Sequence, residues 1–270
     1  MQQATHRVLA HMVGKAAGLS DDETALFVTG SSAPDDDREF SIALDEILGD
    51  TLGSYSGNIV WAVQHGPNCY KNFELHYRRG LELRRRDRSE AILQMGRAGH
   101  FVADYAVPFH RIDVGAVINR VFVSAGQDMT DLTPVLRLLG LGVSASAIER
   151  LIGGVSAVST ILSQHHPAYE YDLNEFVNAH PEAVLEAISA GLGGKWSVAE
   201  LVARVRELGD YSRCALDALL STVRDEDYGL LTLTKLDPDL QNPIFVQTLS
   251  RVVPVLCGLL RLLDVKRLKY

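Results

Sequence analysis

The sequence predicts an all-α protein, and three observations lead to that prediction. Apolar residues recur at intervals of three and four over most of the chain, which is the period of an amphipathic helix. Alternating patterns typical of strands are confined to VFVSAG (121–126) and LLTLTKL (230–236), so we expect a short hairpin at most. No Pro/Gly/Ser-rich linker divides the 270 residues, which favours a single domain over residues 1–270.

The helical period is found in separate stretches with turn-forming residues between them. These stretches are 6–18, 40–52, 73–84, 90–106, 144–162, 170–190, 197–223 and 244–268. Between them, GSSAPDDD (30–37) and GLGGKWS (191–197) predict loops, and HGPN (65–68) predicts a turn. Ser197 is expected to cap the helix that follows the second loop.

Composition and charge limit the classes of function. A formal net charge of −8 argues against a protein that coats nucleic acid and favours a small substrate. The three cysteines, Cys69, Cys214 and Cys257, have no C-x-x-C spacing, so we expect buried thiols rather than a disulfide or a thiolate zinc site. The run HYRRGLELRRRDR (76–88) could suggest nucleic acid or an anionic membrane, but its interleaved acids favour a solvated helix face.

Neither end of the chain has a pattern typical of a membrane segment. The start, MQQATHRVLAHMVGKAAGL, lacks a basic region followed by an apolar stretch and a cleavage site, which predicts a cytoplasmic protein, or a secreted one if a signal has been trimmed. The apolar run VVPVLCGLLRLL (252–263) is shorter than the roughly 18 residues that span a bilayer. We expect a core-facing terminal helix there, and no transmembrane segment.

The stretch HFVADYAVPFH carries the first candidate site. His100 and Asp104 are separated by one helical turn, about 40° apart around the axis, so their side chains can meet at one metal ion. Pro108 disfavours helical geometry at Val107, so the helix should end there and His110 should lie in the turn that follows. An isolated His/Asp pair with this spacing is more often a surface ion pair.

A second pair makes metal binding the better interpretation. In HHPAYE, His166 and Glu170 are again four residues apart, Pro167 suits the first turn of a helix, and His165 is left out of the set. Imidazoles and carboxylates without thiolates are the ligands of catalytic zinc sites. We interpret the remaining histidines His11, His76 and His180 as solvated or structural.

The segment His100–His110 has the pattern H-x3-D-x5-H with a proline two residues before its end. In this pattern the chain resembles the zinc-dependent phospholipase C and P1-type nuclease superfamily, whose members are all-helical hydrolases with three zinc ions. Other positions resemble the family in the same order: Thr5–His6, Pro34–Asp35, His65 and His166–Glu170. The resemblance covers roughly residues 1–110 and 160–180.

The resemblance implies a set of zinc ligands. The first ion would be bound by Asp35, His65, His100 and Asp104, the second by His110, His166 and Glu170, and the third by His6, Asp104 and the amine of Met1. Met1 stands five residues before His6, where secreted members of the family have their mature terminal tryptophan. Asp35, which could otherwise be only a helix-start residue, would also orient the attacking water, with Asp36 as the second candidate. Asn68 and Tyr70 are candidates for substrate contacts.

The connection between His110 and His166 is longer than is usual in that family, and it predicts extra helices inserted between residues 111 and 164 that could form a lid. A lid favours a compact small-molecule or lipid head-group substrate over duplex nucleic acid. We therefore predict a trinuclear zinc hydrolase of phosphate esters. Two alternatives stay open: a cytoplasmic zinc-dependent hydrolase or cyclase acting on a non-phosphate small molecule in a biosynthetic pathway, and a non-catalytic helical protein that metals only stabilise.

Overall fold

The computed structural model describes residues 1–36, 69–111, 166–220 and 238–263, and every element within these ranges is helical. The helices are α1 (Gln3–Ala16), α2 (Asp21–Asp36), α3 (Cys69–Leu83), α4 (Arg88–Ala106), a short 3₁₀ helix η1 (Pro108–Arg111), α5 (His166–Ala179), α6 (Pro181–Gly193), α7 (Val198–Leu220) and α8 (Pro238–Leu263). The all-α prediction is confirmed for the described residues. The two predicted strands, the helices at 40–52 and 144–162, the turn at 65–68 and the insertion beyond Arg111 lie outside them.

Helix α4 is at the centre of the fold. Thirteen of its 19 residues are buried, and α2, α3 and α8 pack around it. A helix that is buried on nearly every side belongs to the core, which explains why α4 consists mostly of alanine, glycine and larger apolar residues. The polar residues His100 and Asp104 on such a helix are therefore unusual, and they need compensating partners.

Helix α2 corrects one prediction. We expected residues 30–37 to form a loop, but the helix continues through Pro34 to Asp36. The reason is tertiary: Gly30 crosses α4 so closely that a Cβ atom on it would lie 2.2 Å from the backbone oxygen of Leu93. Packing of this segment on α4 overrides the local preference of glycine, serine and proline for a turn.

The crossing of α2 and α4 leads to a stability prediction. A Cβ atom on Gly96 would lie 2.4 Å from the backbone oxygen of Phe27, and backbone cannot move aside as a side chain can. We expect Gly96→Ala to lower the free energy of unfolding by about 1–3 kcal/mol, measured by urea denaturation. Gly193→Ala is the matched control, because no atom lies within 4 Å of its added Cβ, and it should change stability by less than about 0.5 kcal/mol. Equal effects of the two substitutions would contradict this account of the crossing.

Two other helical predictions have different outcomes. The prediction of a single helix at 170–190 is wrong, because α5 ends at Ala179 and a new helix, α6, begins at Pro181. Pro181 is suited to the first turn of α6, where a backbone N–H has no partner within the helix. The cap at Ser197 is confirmed, since the backbone N–H of Glu200 donates to Ser197 Oγ at 3.1 Å.

The basic run beginning in α3 is exposed at Arg78, Arg79, Arg85 and Arg86, as expected of a solvated face.

The C-terminal part of the described chain is a core helix, as predicted. Within the described residues, the segment Gln241–Leu263 of α8 is long and apolar enough to cross a membrane by length and composition, and 72% of its most apolar window is buried inside the protein. The core helix of a soluble protein can have the same length and apolar composition.

The expectation of three buried thiols is wrong for Cys214, which is exposed, whereas Cys69 and Cys257 are buried.

Candidate metal centre

The end of α4 presents two of the predicted ligands on one buried face. His100 and Asp104 are 0% and 1% exposed, and His100 Nε2 lies 3.1 Å from Asp104 Oδ2. Val107 has extended backbone angles and ends the helix before Pro108, as predicted. The chain then turns through η1 and places His110 Nδ1 3.7 Å from the same Oδ2 atom.

Helix α1 supplies the next imidazole. The ring of His6 stacks on the ring of His100, with centroids 4.1 Å apart, and His6 Nε2 lies 3.1 Å from Asp104 Oδ1. One ligand atom each from His6, His100 and Asp104 lie within 4.8 Å of one another, so all three could bind one ion. Thr5 helps to fix α1 here, because its hydroxyl donates to Asn174 Oδ1 of α5 at 3.0 Å.

The second nitrogen of His100 has a partner that sets its tautomer. His100 Nδ1 lies 2.9 Å from the backbone oxygen of Ser31 in α2, an acceptor, so Nδ1 carries the proton and donates it. The other ring nitrogen, Nε2, faces Asp104 and is the atom that a metal ion could bind. Histidines that bind metals commonly donate their other N–H to a backbone carbonyl in this way, which fixes the ring and makes the ligating nitrogen more basic. Sequence reasoning missed Ser31, because nothing local distinguishes it from other small residues.

A second group forms between η1 and α5. His110 Nε2 lies 2.7 Å from His166 Nε2, and Glu170 Oε1 lies 3.2 Å and 2.8 Å from these two nitrogens. Helix α5 begins at His166 with Pro167 in its first turn, as predicted, and this brings His166 and Glu170 together across one turn. One ligand atom from each of the three residues lies within 4.8 Å of the others, so this group too could bind an ion.

The amine of Met1 joins the two groups. It donates to Asp104 Oδ1 at 2.6 Å and also contacts Glu170 Oε1, and Met1 is 3% exposed. Burial alone would lower the pKa of this amine, but the carboxylates of Asp104 and Glu170 raise it to about 11. The amine is therefore an ammonium ion held between two carboxylates, and it would have to lose a proton before it could bind a metal ion.

The electrostatics favour the ligand forms of most side chains. Burial would raise the pKa values of Asp104 and Glu170, but the Met1 amine and the imidazoles hold both well below their usual range. Burial lowers the pKa of His6 to about 3 and that of His110 to about 4, so both are neutral at pH 7. Neutral imidazoles and ionised carboxylates are the forms that bind divalent metals.

His100 differs from the other imidazoles in the direction of its shift. Burial would lower its pKa, but the carboxylates of Asp104 and Asp35 raise it. A divalent cation bound among these carboxylates would take the place of that proton, because ligation requires a neutral imidazole.

Asp35 approaches the first group from the end of α2. Its Oδ1 lies 3.8 Å from His100 Nε2, and its side chain is 16% exposed, so it is the described candidate ligand most open to solvent. An acidic residue at the C-terminal end of a helix faces the negative end of the helix dipole, which is unfavourable unless positive charge lies nearby. A divalent cation among the neighbouring imidazoles would supply that charge.

The remaining predicted site residues have mixed outcomes. His65 and Asn68 lie outside the described residues, as does the side chain of Asp36. Tyr70 lies at the start of α3, where its ring is 6.0 Å from that of Tyr105.

The histidines left out of the metal set behave as expected within the described residues. His11 and His180 are exposed, and His180 Nδ1 pairs with Glu182 at 3.0 Å. His76 is buried, with Nδ1 2.7 Å from Gln94 Oε1 and its ring stacked on Phe101. None of the three belongs to either of the two groups of candidate metal ligands among the described residues.

The centre thus consists of two groups of buried imidazoles and carboxylates that lie side by side and share the Met1 amine. Either group has the donor chemistry and the spacing to hold a metal ion. Comparison of the chain with protein-family models, with curated proteins and with solved structures finds no match.

Proposed function

We propose that this protein is a trinuclear zinc hydrolase that cleaves phosphate esters of small molecules or lipid head groups with metal-activated water. The observation that carries the proposal is the position of Asp104. Its Oδ1 lies 3.1 Å from His6 Nε2, and its Oδ2 lies 3.1 Å from His100 Nε2. A buried carboxylate whose two oxygens face different imidazoles would allow each oxygen to help hold a different cation.

The distances support an assignment of ligands to three ions. Asp35, His100 and Asp104 Oδ2 would hold the first, together with His65 as the sequence resemblance implies. His110, His166 and Glu170 would hold the second. The Met1 amine, His6 and Asp104 Oδ1 would hold the third. All are nitrogen or oxygen donors, which suits zinc in a catalytic rather than a purely structural role.

The side chains around the centre suggest how the reaction proceeds. Bound zinc would supply hydroxide at neutral pH and neutralise the charge on the phosphate oxygens. Asp35 is the residue to orient the attacking water and accept its proton, because its carboxylate is close to His100 yet still reaches solvent. The other described ligands are almost fully buried, so their part is to bind and to exclude bulk water.

Metal analysis followed by activity assays tests the proposal. The chain should carry no residues before Met1, because an extension would displace the amine from Asp104 and Glu170. We expect about three zinc ions per chain by elemental analysis, and hydrolysis of bis-p-nitrophenyl phosphate, phosphatidylcholine or 3′-AMP that a chelator abolishes and zinc restores. Full zinc occupancy with no hydrolysis of any of the three would contradict the phosphate-ester assignment and favour a non-phosphate substrate.

A variant of His110 separates a catalytic from a structural role. His110→Gln should lower hydrolysis by at least about 100-fold while the protein remains folded by circular dichroism. His11→Gln is the control, since His11 is exposed on α1 and faces neither metal group. The opposite outcome has two parts: the parent protein binds zinc but has no activity, and His110→Gln is unfolded at 25 °C. Together these results would show a metal site that only stabilises the fold.

A further inference from the structure

Beside the metal centre lies a group of side chains that the proposed chemistry does not use. It consists of Tyr70, Tyr105, Arg111 and Arg206, and we refer to it as the Tyr–Arg cluster. Tyr105 directly follows Asp104, and Arg111 directly follows His110, so the cluster is attached to two of the proposed ligands. Successive residues of a helix are about 100° apart around its axis, which directs Tyr105 to the side of the centre rather than into it.

The two arginines are held by the two aromatic rings. The guanidinium carbon of Arg111 lies 4.5 Å from the centroid of Tyr105, and that of Arg206 lies 5.9 Å from the centroid of Tyr70. Arg206 Nε also donates to the Tyr70 hydroxyl at 3.2 Å, and the two rings are 6.0 Å apart. Stacking of this kind fixes the plane of a guanidinium while leaving its terminal N–H groups available.

Tyr105 is itself fixed by the backbone of α7. A Cβ atom on Gly209 would lie 2.4 Å from the Tyr105 hydroxyl oxygen, so the glycine is what allows the ring to reach α7. Arg206 belongs to the same helix, and the cluster therefore joins α7 to the end of α4 and to η1. Arg111 is half-buried, whereas Arg206 is exposed and is positioned by its hydrogen bond to Tyr70 and its stacking on that ring.

The charge of the cluster is not neutralised within the described residues. Five arginines elsewhere on the described helices form ion pairs: Arg78, Arg79, Arg88, Arg204 and Arg213. Among the residues that the structure describes, Arg111 and Arg206 belong to no ion pair, and the buried Nε of Arg111 has no hydrogen-bond partner. In a protein with a net charge of −8, two guanidinium groups that stack on tyrosine rings and form no ion pair with the described residues indicate a site for an anion beside the candidate metal centre.

We propose that the Tyr–Arg cluster binds a second phosphate group of the substrate, beside the phosphate ester that is hydrolysed at the metals. This inference rests on the proposed function and adds the substrate class, which is a phosphate ester with a further phosphate nearby. A guanidinium donates two parallel N–H groups to phosphate oxygens, and a planar ring behind it prevents it from turning away. The metals bind the reacting phosphate and the arginines bind the other.

Calorimetric titration of the full chain with inorganic phosphate tests the cluster directly. With zinc chelated, we expect phosphate to bind, and Arg111→Gln and Arg206→Gln each to raise the Kd by about tenfold or more. Arg204→Gln is the matched control on α7, because Arg204 is paired with Glu200, and it should leave the Kd unchanged. Arg111→Lys keeps the positive charge but lacks the two parallel N–H groups of a guanidinium, so it should give an intermediate Kd for phosphate. This variant replaces Arg111→Gln in the test if Arg111→Gln does not fold. An unchanged Kd in the Arg111 and Arg206 variants, or no phosphate binding without zinc, overturns the inference.

A kinetic comparison of the zinc-loaded protein provides a second readout. Adenosine 3′,5′-bisphosphate and 3′-AMP differ by one phosphate, and the ratio of their kcat/KM values should fall about tenfold in Arg111→Gln and stay constant in Arg204→Gln. Failure of the proposed function would appear as missing zinc and missing hydrolysis while phosphate still binds to the arginines. Failure of this inference would appear as intact zinc binding and hydrolysis with no response to the arginine substitutions.

Discussion

Asp104→Asn should lower the affinity of the centre for zinc by about 100-fold or more and reduce phosphate-ester hydrolysis to the level of the metal-free protein. The substitution keeps the shape of the side chain but removes its charge and replaces one oxygen by an amide nitrogen that cannot bind a metal. Because both oxygens of Asp104 face proposed ligands, we expect the loss to affect more than one of the proposed ions. Zinc per chain, measured by elemental analysis after dialysis against a weak chelator, should fall by about two.

Asp217→Asn is the matched control for this result. Asp217 is exposed on α7 and belongs to neither group of candidate ligands, so the same chemical change there should leave zinc content and hydrolysis unchanged. Removal of only one ion by Asp104→Asn would show that the carboxylate does not bridge. Full retention of zinc would exclude Asp104 as a ligand and with it the proposed centre.

Glu170→Gln should remove about one zinc ion per chain and lower hydrolysis at least about 100-fold, while circular dichroism shows a folded protein. Glu170 Oε1 contacts the Met1 amine, His110 and His166, so its charge holds three nitrogen donors together. Without that charge the second group loses its only carboxylate ligand. The first group should keep its metal, because His6, His100 and Asp104 are unchanged.

Glu175→Gln provides the control on the same helix. Glu175 is exposed one and a half turns further along α5, where an amide should change neither zinc content nor activity. A Glu170→Gln protein that keeps its full zinc content and activity would contradict the second metal group. One that unfolds while Glu175→Gln remains folded would instead show that the group serves the fold.

Local features of the sequence were sufficient for the parts of the site that lie within one or two helical turns. The pairs His100/Asp104 and His166/Glu170 follow from the helical period, and the position of His110 follows from the effect of Pro108 on Val107. The same reasoning failed for α2, where glycine, serine and proline predicted a loop. A close contact with α4 keeps that segment helical, and no signal within residues 30–37 reveals the contact.

The sequence by itself determined the helical class, the residue types that can bind a metal, and which of them share a helical turn, because these properties depend on neighbours along the chain. Only the tertiary structure brought Met1 and His6 to Asp104, turned the proton of His100 toward Ser31, and joined α7 to η1 through the Tyr–Arg cluster. These contacts join residues that are far apart in the sequence. Their formation depends on how tightly α1, α2 and α7 pack against the buried helix α4, which is a property of the whole core rather than of any segment.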